Sequence, residues 1–239
     1  MNEAGWRAYR APILDSAQYF VQALLWGALC GLIFAGVLGR LAMLILRLTS
    51  DPALAGMKTD DLFTIGAITT DSLFLLAAGT LAGAFGGGIY AVFRGWFPPR
   101  LRIATAGTFA AVGIGSLTIK PDGVDFTLVE PLALAVAMFI ALPGAYGVAT
   151  AWLLERAYAR RLRIPGAIAL ALSVVVFVPQ GLAGVPFAAL ALALMAGNRG
   201  GVVSRLWHHS RVAWAGRAAL AGVFALAAVA LVRDVTAVL

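Results

Sequence analysis

Long apolar runs alternate with short polar gaps along this chain, and the gaps themselves alternate in sign. Runs near 17–40, 72–93, 103–119, 131–154, 165–179, 185–197 and 213–232 read as helical spans. About 20 residues of helix cross a hydrocarbon core of about 30 Å, so most of these runs can reach from one face to the other. Backbone in lipid must satisfy its own hydrogen bonds, which makes each run a helix rather than an open strand. The pattern predicts an all-α, polytopic transmembrane helical bundle of about seven spans, with six as the alternative. The first run keeps its helical pattern past Arg40 to Arg47, which is longer than a membrane needs. That predicts a tilted helix or one whose last turns project from the surface. The lead 1–16 reads as an interfacial segment, with Trp6 and Tyr9 at headgroup depth.

The sign of the gaps orients the bundle. The gap 49–71 carries Asp51, Asp60, Asp61 and Asp71 against Lys58, and 120–130 carries Asp122, Asp125 and Glu130 against Lys120. The gap around Pro98-Pro99 holds Arg94, Arg100 and Arg102. The next basic gap has Arg156, Arg160, Arg161 and Arg163 beside Glu155, and the last has Arg199, Arg205 and Arg211 beside His208 and His209. Basic loops stay in the cytoplasm, so the amino terminus is expected inside and the carboxyl terminus outside. Two basic gaps flank 165–197, which requires an even number of crossings between them. Two short helices bounded by Pro165, Pro179 and Pro186 meet that requirement. Pro131 suits the start of the fourth span, and Pro143-Gly144 is expected to kink it.

Composition agrees and removes other classes. A hydrophobic fraction of 62% with 12% charged residues lies outside the range of soluble domains. The net charge of +7 is spread over the flanks of apolar runs, which points to anionic lipid headgroups as partners and away from nucleic acid. Cys30 is the one cysteine, so no internal disulfide and no thiolate cluster can form. The charged start before a long apolar run is not a cleaved signal pattern, and the first span is expected to remain as an anchor. The Ala, Gly, Val, Leu and Arg bias hints at a bacterial source, hence a multi-pass protein of the inner (plasma) membrane.

Three constellations stand out. Gly27, Gly31, Ala35 and Gly39 recur every four residues on the first span, as do Gly79, Gly83 and Gly87 on the second. Small residues on one face let helix backbones approach closely, between these two spans or with another subunit. Arg40 ends a full-length apolar span, where a guanidinium is costly unless it pairs or snorkels. Asp60, Asp61, Asp125 and Glu130 are its candidate partners in an outer polar cluster, either pinning loops to the bundle or forming a binding mouth. Asp71 reads as a helix N-cap and Asp122-Gly123 as a turn. The acids lack the alternating spacing of a calcium loop, and adjacent His208-His209 point apart on a helix, so no metal is expected. The spans hold no histidine, no paired carboxylates and no lysine, which argues against haem, proton-pump and retinal chemistry. No catalytic residue and no cofactor is expected.

The strings Gly39-Arg40-Leu41-Ala42-Met43, Leu48-Thr49-Ser50-Asp51-Pro52 with Gly56, and Thr59-Asp60-Asp61-Leu62-Phe63-Thr64-Ile65-Gly66 go with 122–131, Asp122 to Pro131. Together they resemble a group of uncharacterised polytopic integral membrane proteins of actinobacteria, over roughly residues 1–155. The resemblance implies a membrane bundle and brings no activity or catalytic residues with it. The leading expectation is a non-enzymatic accessory or assembly subunit of a membrane complex, or a homo-oligomer. The alternative is a small-solute or ion channel or transporter with its mouth at Arg40, in which case Thr80, Thr105, Thr108, Ser116 or Gln180 would line a water-accessible path.

Overall fold

The computed structural model describes residues 19–51, 70–127, 130–159 and 209–239. Every regular element among them is helical. Five helices are long and apolar enough to cross a membrane: α1 (Tyr19–Thr49), α2 (Thr70–Phe93), α3 (Arg102–Thr118), α4 (Leu132–Ala159) and α5 (Ser210–Val238). This is the build of a polytopic membrane protein. The interfacial lead, the acids Asp60 and Asp61, and the two short spans expected over 165–197 lie outside the described residues.

The 31-residue α1 continues through Arg40 and Arg47, as its unbroken apolar pattern requires. Leu32–Leu38 winds as a π-helix inside it. Such a turn closes hydrogen bonds over five residues instead of four and rotates the face that follows. The turn after α2 is short and stiff: a 3-10 turn Arg94–Trp96, then Pro98, then a second 3-10 turn Pro99–Leu101. Proline fixes the backbone angle at the entry to the second turn, and α3 starts immediately after it. Between α3 and α4, Gly123 N donates to Lys120 O at 3.0 Å, closing the expected Asp122-Gly123 turn, and a one-turn helix Val124–Thr127 follows.

Pro131 precedes α4, and its carbonyl accepts from Leu134 and Ala135 to begin the helix. The helix runs without a break through Pro143. Asp71 falls inside the first turn of α2, since that helix begins at Thr70. His209 is the N-cap of α5, with Nδ1 accepting from Arg211 N at 3.4 Å.

Antiparallel neighbours put like ends together. Phe20 and Leu24 at the start of α1 pack with Ala84 and Val92 toward the end of α2. Ala23 packs with Leu154 and Tyr158 of α4 at the same end. At the opposite end, Leu46, Ile119, Phe126, Ala135, Val136 and Leu231 form one apolar cluster. The end of α4 and the start of α5 therefore share the basic end of the bundle. The strongest packing pairs α3 with α4, while α5 lies mainly against α3.

Candidate functional site

At the basic end one carboxylate gathers three spans. Tyr90 lies in the last turn of α2 and Arg94 opens the 3-10 turn that continues it, four residues on and on the same side. Glu155 Oε1 accepts from the Tyr90 hydroxyl at 2.7 Å and from Arg94 Nε at 2.9 Å. Oε2 accepts from Arg94 Nη2 at 2.8 Å and from Arg102 Nη1, on α3, at 3.1 Å. The Arg94 pairing is the two-pronged guanidinium–carboxylate geometry that fixes both distance and orientation. These side chains retain only partial exposure, 26% for Arg94, 16% for Arg102 and 25% for Glu155. The pairing is thus less screened than a solvated surface bridge, and carries a smaller desolvation penalty than a fully dry one.

The other two described spans join the same end. Arg94 stacks 4.4 Å over the Tyr158 ring, which meets Tyr19 of α1 edge-on at 4.8 Å. The Tyr158 hydroxyl donates to the Tyr19 carbonyl at 3.0 Å. From α5, Arg217 Nε donates to the Trp96 carbonyl, and Gly216 lies flat against the Trp96 ring. Arg102 Nε meanwhile donates to the carbonyls of Arg94 at 3.1 Å and Phe97 at 3.2 Å. Two arginines from different helices thus bond the carbonyls of the turn that follows α2, where the Arg94 carbonyl also accepts from Phe97 N.

The glycines form a second constellation, in the interior. A side-chain carbon on Gly27 would meet the Gly83 carbonyl and, at 2.9 Å, the Gly87 Cα. One on Gly31 would meet the Gly79 carbonyl and, at 2.7 Å, the Gly83 Cα, and one on Gly87 would meet Ala23. The two small-residue faces therefore pack on each other, α1 against α2, with backbones in direct contact. Beyond Gly31 the seam passes to Gly36, which faces Leu76, while Gly79 faces Ala35 and Gly36. Gly39 lies outside it, with only the Phe34 carbonyl of its own helix near, at 3.8 Å. The π-helical segment is the reason, because it breaks the four-residue spacing that pointed Gly39 at the partner. Tyr146 of α4 closes the seam from the side, donating its hydroxyl to the Gly83 carbonyl at 2.6 Å and filling the space above Gly86. A parallel seam joins α3 to α4, where Gly147 meets Ala106 and Ala110, and Gly144 meets Ala111 at 3.3 Å.

The outer polar cluster is described in part. Arg40 lies half-buried in α1, just past the π-helical segment. Asp125 belongs to the one-turn helix and Glu130 is an exposed residue before α4. Beside the packing of Leu46 on Ile119 and Phe126, hydroxyls at the end of α1 bond the backbone of Glu130. Thr49 Oγ1 donates to the Glu130 carbonyl at 2.8 Å, and Glu130 N donates to Ser50 Oγ at 2.9 Å. Of the hydroxyls expected along a path, Thr80 donates to Leu76 O, Thr108 to Ala104 O and Ser116 to Gly113 O, each within its own helix. Gln180 lies outside the described residues.

The Glu155 cluster, Tyr146 and the Gly144–Gly147 seam are not among the residues the sequence pattern singles out. One signal was present: Glu155 is the lone acid in a gap of arginines. No protein-family model, curated protein or solved structure matches this chain.

Proposed function

We propose that this chain is a non-enzymatic integral membrane protein that acts as an accessory or assembly subunit of a membrane complex, or as a homo-oligomer. In this reading it is a seven-span bundle in a bacterial inner membrane, basic end and amino terminus in the cytoplasm, carboxyl terminus outside. The two glycine faces are taken up by each other within the chain, with Tyr146 closing the flank, so the observation that carries the reading is the exposed apolar surface of α5. Backbone-to-backbone packing of α1 on α2, with a tyrosine ring filling the flank, leaves no room for a solute path between those two helices. The intrahelical bonding of Thr80 and Ser116 agrees, since those hydroxyls are occupied by carbonyls of their own turns.

Helix α5 supplies the surface for a partner. Its apolar side chains Val223, Leu226, Val229 and Val232 follow each other at three-residue steps, and each is between 62% and 75% exposed. Each three-residue step turns back by about 60°, so the four wind over about half of the helix circumference as a broad exposed apolar surface. Among the described residues nothing covers that surface, which suits a neighbouring transmembrane helix or lipid.

The test is cross-linking in the native membrane from a photoreactive residue at Leu226, with Tyr146 as the interior control. A discrete protein adduct from Leu226 and none from Tyr146 supports the subunit reading. Solute flux through reconstituted vesicles, abolished by a bulky residue at Arg40, would favour the transporter instead.

A further inference from the structure

We propose that the basic end holds a binding site for the phosphate group of an anionic phospholipid, built on the turn between α2 and α3 by Arg100, Arg102 and Arg217. The proposal rests on the reading of the chain as a membrane bundle and deepens it by naming a lipid partner for this end.

Charge is the first ground. Four arginines, Arg94, Arg100, Arg102 and Arg217, belong to that turn or bond to it, and the one carboxylate there, Glu155, pairs with Arg94 and Arg102. No other carboxylate among the described residues lies at this end of the bundle. Glu155 already spends both oxygens on Tyr90, Arg94 and Arg102. Surplus positive charge beside a low-dielectric slab is unfavourable unless an anion accompanies it.

Geometry is the second. Arg102 and Arg217 are both tethered through Nε to carbonyls of the one turn, Arg102 to those of Arg94 and Phe97, Arg217 to that of Trp96. Tethering at Nε fixes each guanidinium plane and leaves terminal nitrogens to donate: Nη2 of Arg102 and both of Arg217. Arg100, on the adjoining 3-10 turn, is exposed. Paired N–H donors held in fixed planes suit a phosphate, which accepts from several at once.

Depth selects the lipid over a dissolved anion. Arg217 lies 5.9 Å from the Trp214 ring, and Arg156 lies 3.8 Å over the Trp152 ring, both tryptophans being exposed at the ends of membrane-length helices. Exposed tryptophan concentrates at the level of the headgroups, so these arginines sit where lipid phosphates are. An acidic protein would have to reach past that layer.

The experiment uses the purified full chain in a neutral detergent, with phosphatidylglycerol, phosphatidylcholine or inorganic phosphate added. Bound lipid is counted by native mass spectrometry, and melting is followed in parallel. Phosphatidylglycerol should be retained in preference to phosphatidylcholine and should raise the melting temperature. Arg217→Gln and Arg100→Gln should each cut that preference about fivefold, the weight of one arginine at a charged lipid surface. Arg100 has no described side-chain bond to lose, so Arg100→Gln should melt as the wild type does in phosphatidylcholine, which separates binding from folding. Equal retention of the two lipids, an unchanged preference in Arg100→Gln and Arg217→Gln, or a full effect from inorganic phosphate alone would overturn the proposal. Detergent removes sidedness, so a wrong orientation of the bundle would leave this result intact.

Discussion

Glu155 holds α2, α3 and α4 at one point, and its loss would leave two arginines facing each other in a partly dry site. Glu155→Ala should destabilise the protein by about 2 kcal/mol, between the values for exposed and fully buried pairs. Thermal unfolding in detergent measures this. The double variant Arg94→Ala/Glu155→Ala should lose less than the sum of the singles, because removing the cation also removes the repulsion. Strict additivity would argue against a shared carboxylate. Tyr146→Phe loses one interhelical hydrogen bond to Gly83 and should cost about 0.6–1.7 kcal/mol, the range for such bonds inside membrane bundles. Arg40→Ala should destabilise more than Asp122→Ala, since Arg40 is half-buried in α1 and Asp122 is exposed in a turn. Equal melting of those two variants would contradict it. The residue scale is also where the sequence was least legible. Arg40 drew notice because it stands alone in an apolar run. Glu155 did not, because it looks like one more charge in a polar gap. Its partners Tyr90, Arg94 and Arg102 lie 65, 61 and 53 residues away, and nothing local predicts those pairings.

At the scale of helices, the small-residue faces were legible in spacing but not in partner or extent. Four-residue recurrence marks a face on any helix, and only the packing shows that Gly27 and Gly31 lie on Gly79, Gly83 and Gly87. The π-helical segment is why Gly36 enters the seam and Gly39 leaves it, since four-residue recurrence marks one face only where the α-helical spacing is uniform. The α3–α4 seam of Gly144 and Gly147 was hidden by Pro143, which drew attention as a kink and not as the entrance to a close contact. Substitutions should follow space. Gly83→Ala meets the Gly27 carbonyl and the Gly31 Cα, both backbone, and should cost about 1–3 kcal/mol as overpacking. Gly113→Ala and Gly222→Ala meet nothing within 4 Å and should be neutral or stabilising by up to about 1 kcal/mol. Chemical or thermal unfolding of the three variants side by side checks the contrast, and similar losses at all three would remove the seam from the account.

For the whole molecule, alternation of charge between the gaps was the most informative pattern. The end of α4 and the start of α5 share the basic end, as the like-signed gaps on either side of 165–197 require. The proposed function takes an even number of crossings between them and a cytoplasmic basic end. Single cysteines in a Cys30→Ser background would test the sidedness. Arg100→Cys should react with a membrane-impermeant thiol reagent only after the inner face is opened, and Asp122→Cys should react in intact cells. What the molecule does with its neighbours turns on the outer face of α5, where Leu226 is 75% exposed. The most direct measurement is photocross-linking from Leu226 in native membranes, followed by the mass of the complex in mild detergent. The subunit account predicts one discrete protein adduct and a particle larger than a single chain. Lipid adducts alone, with a lone monodisperse monomer, would contradict it.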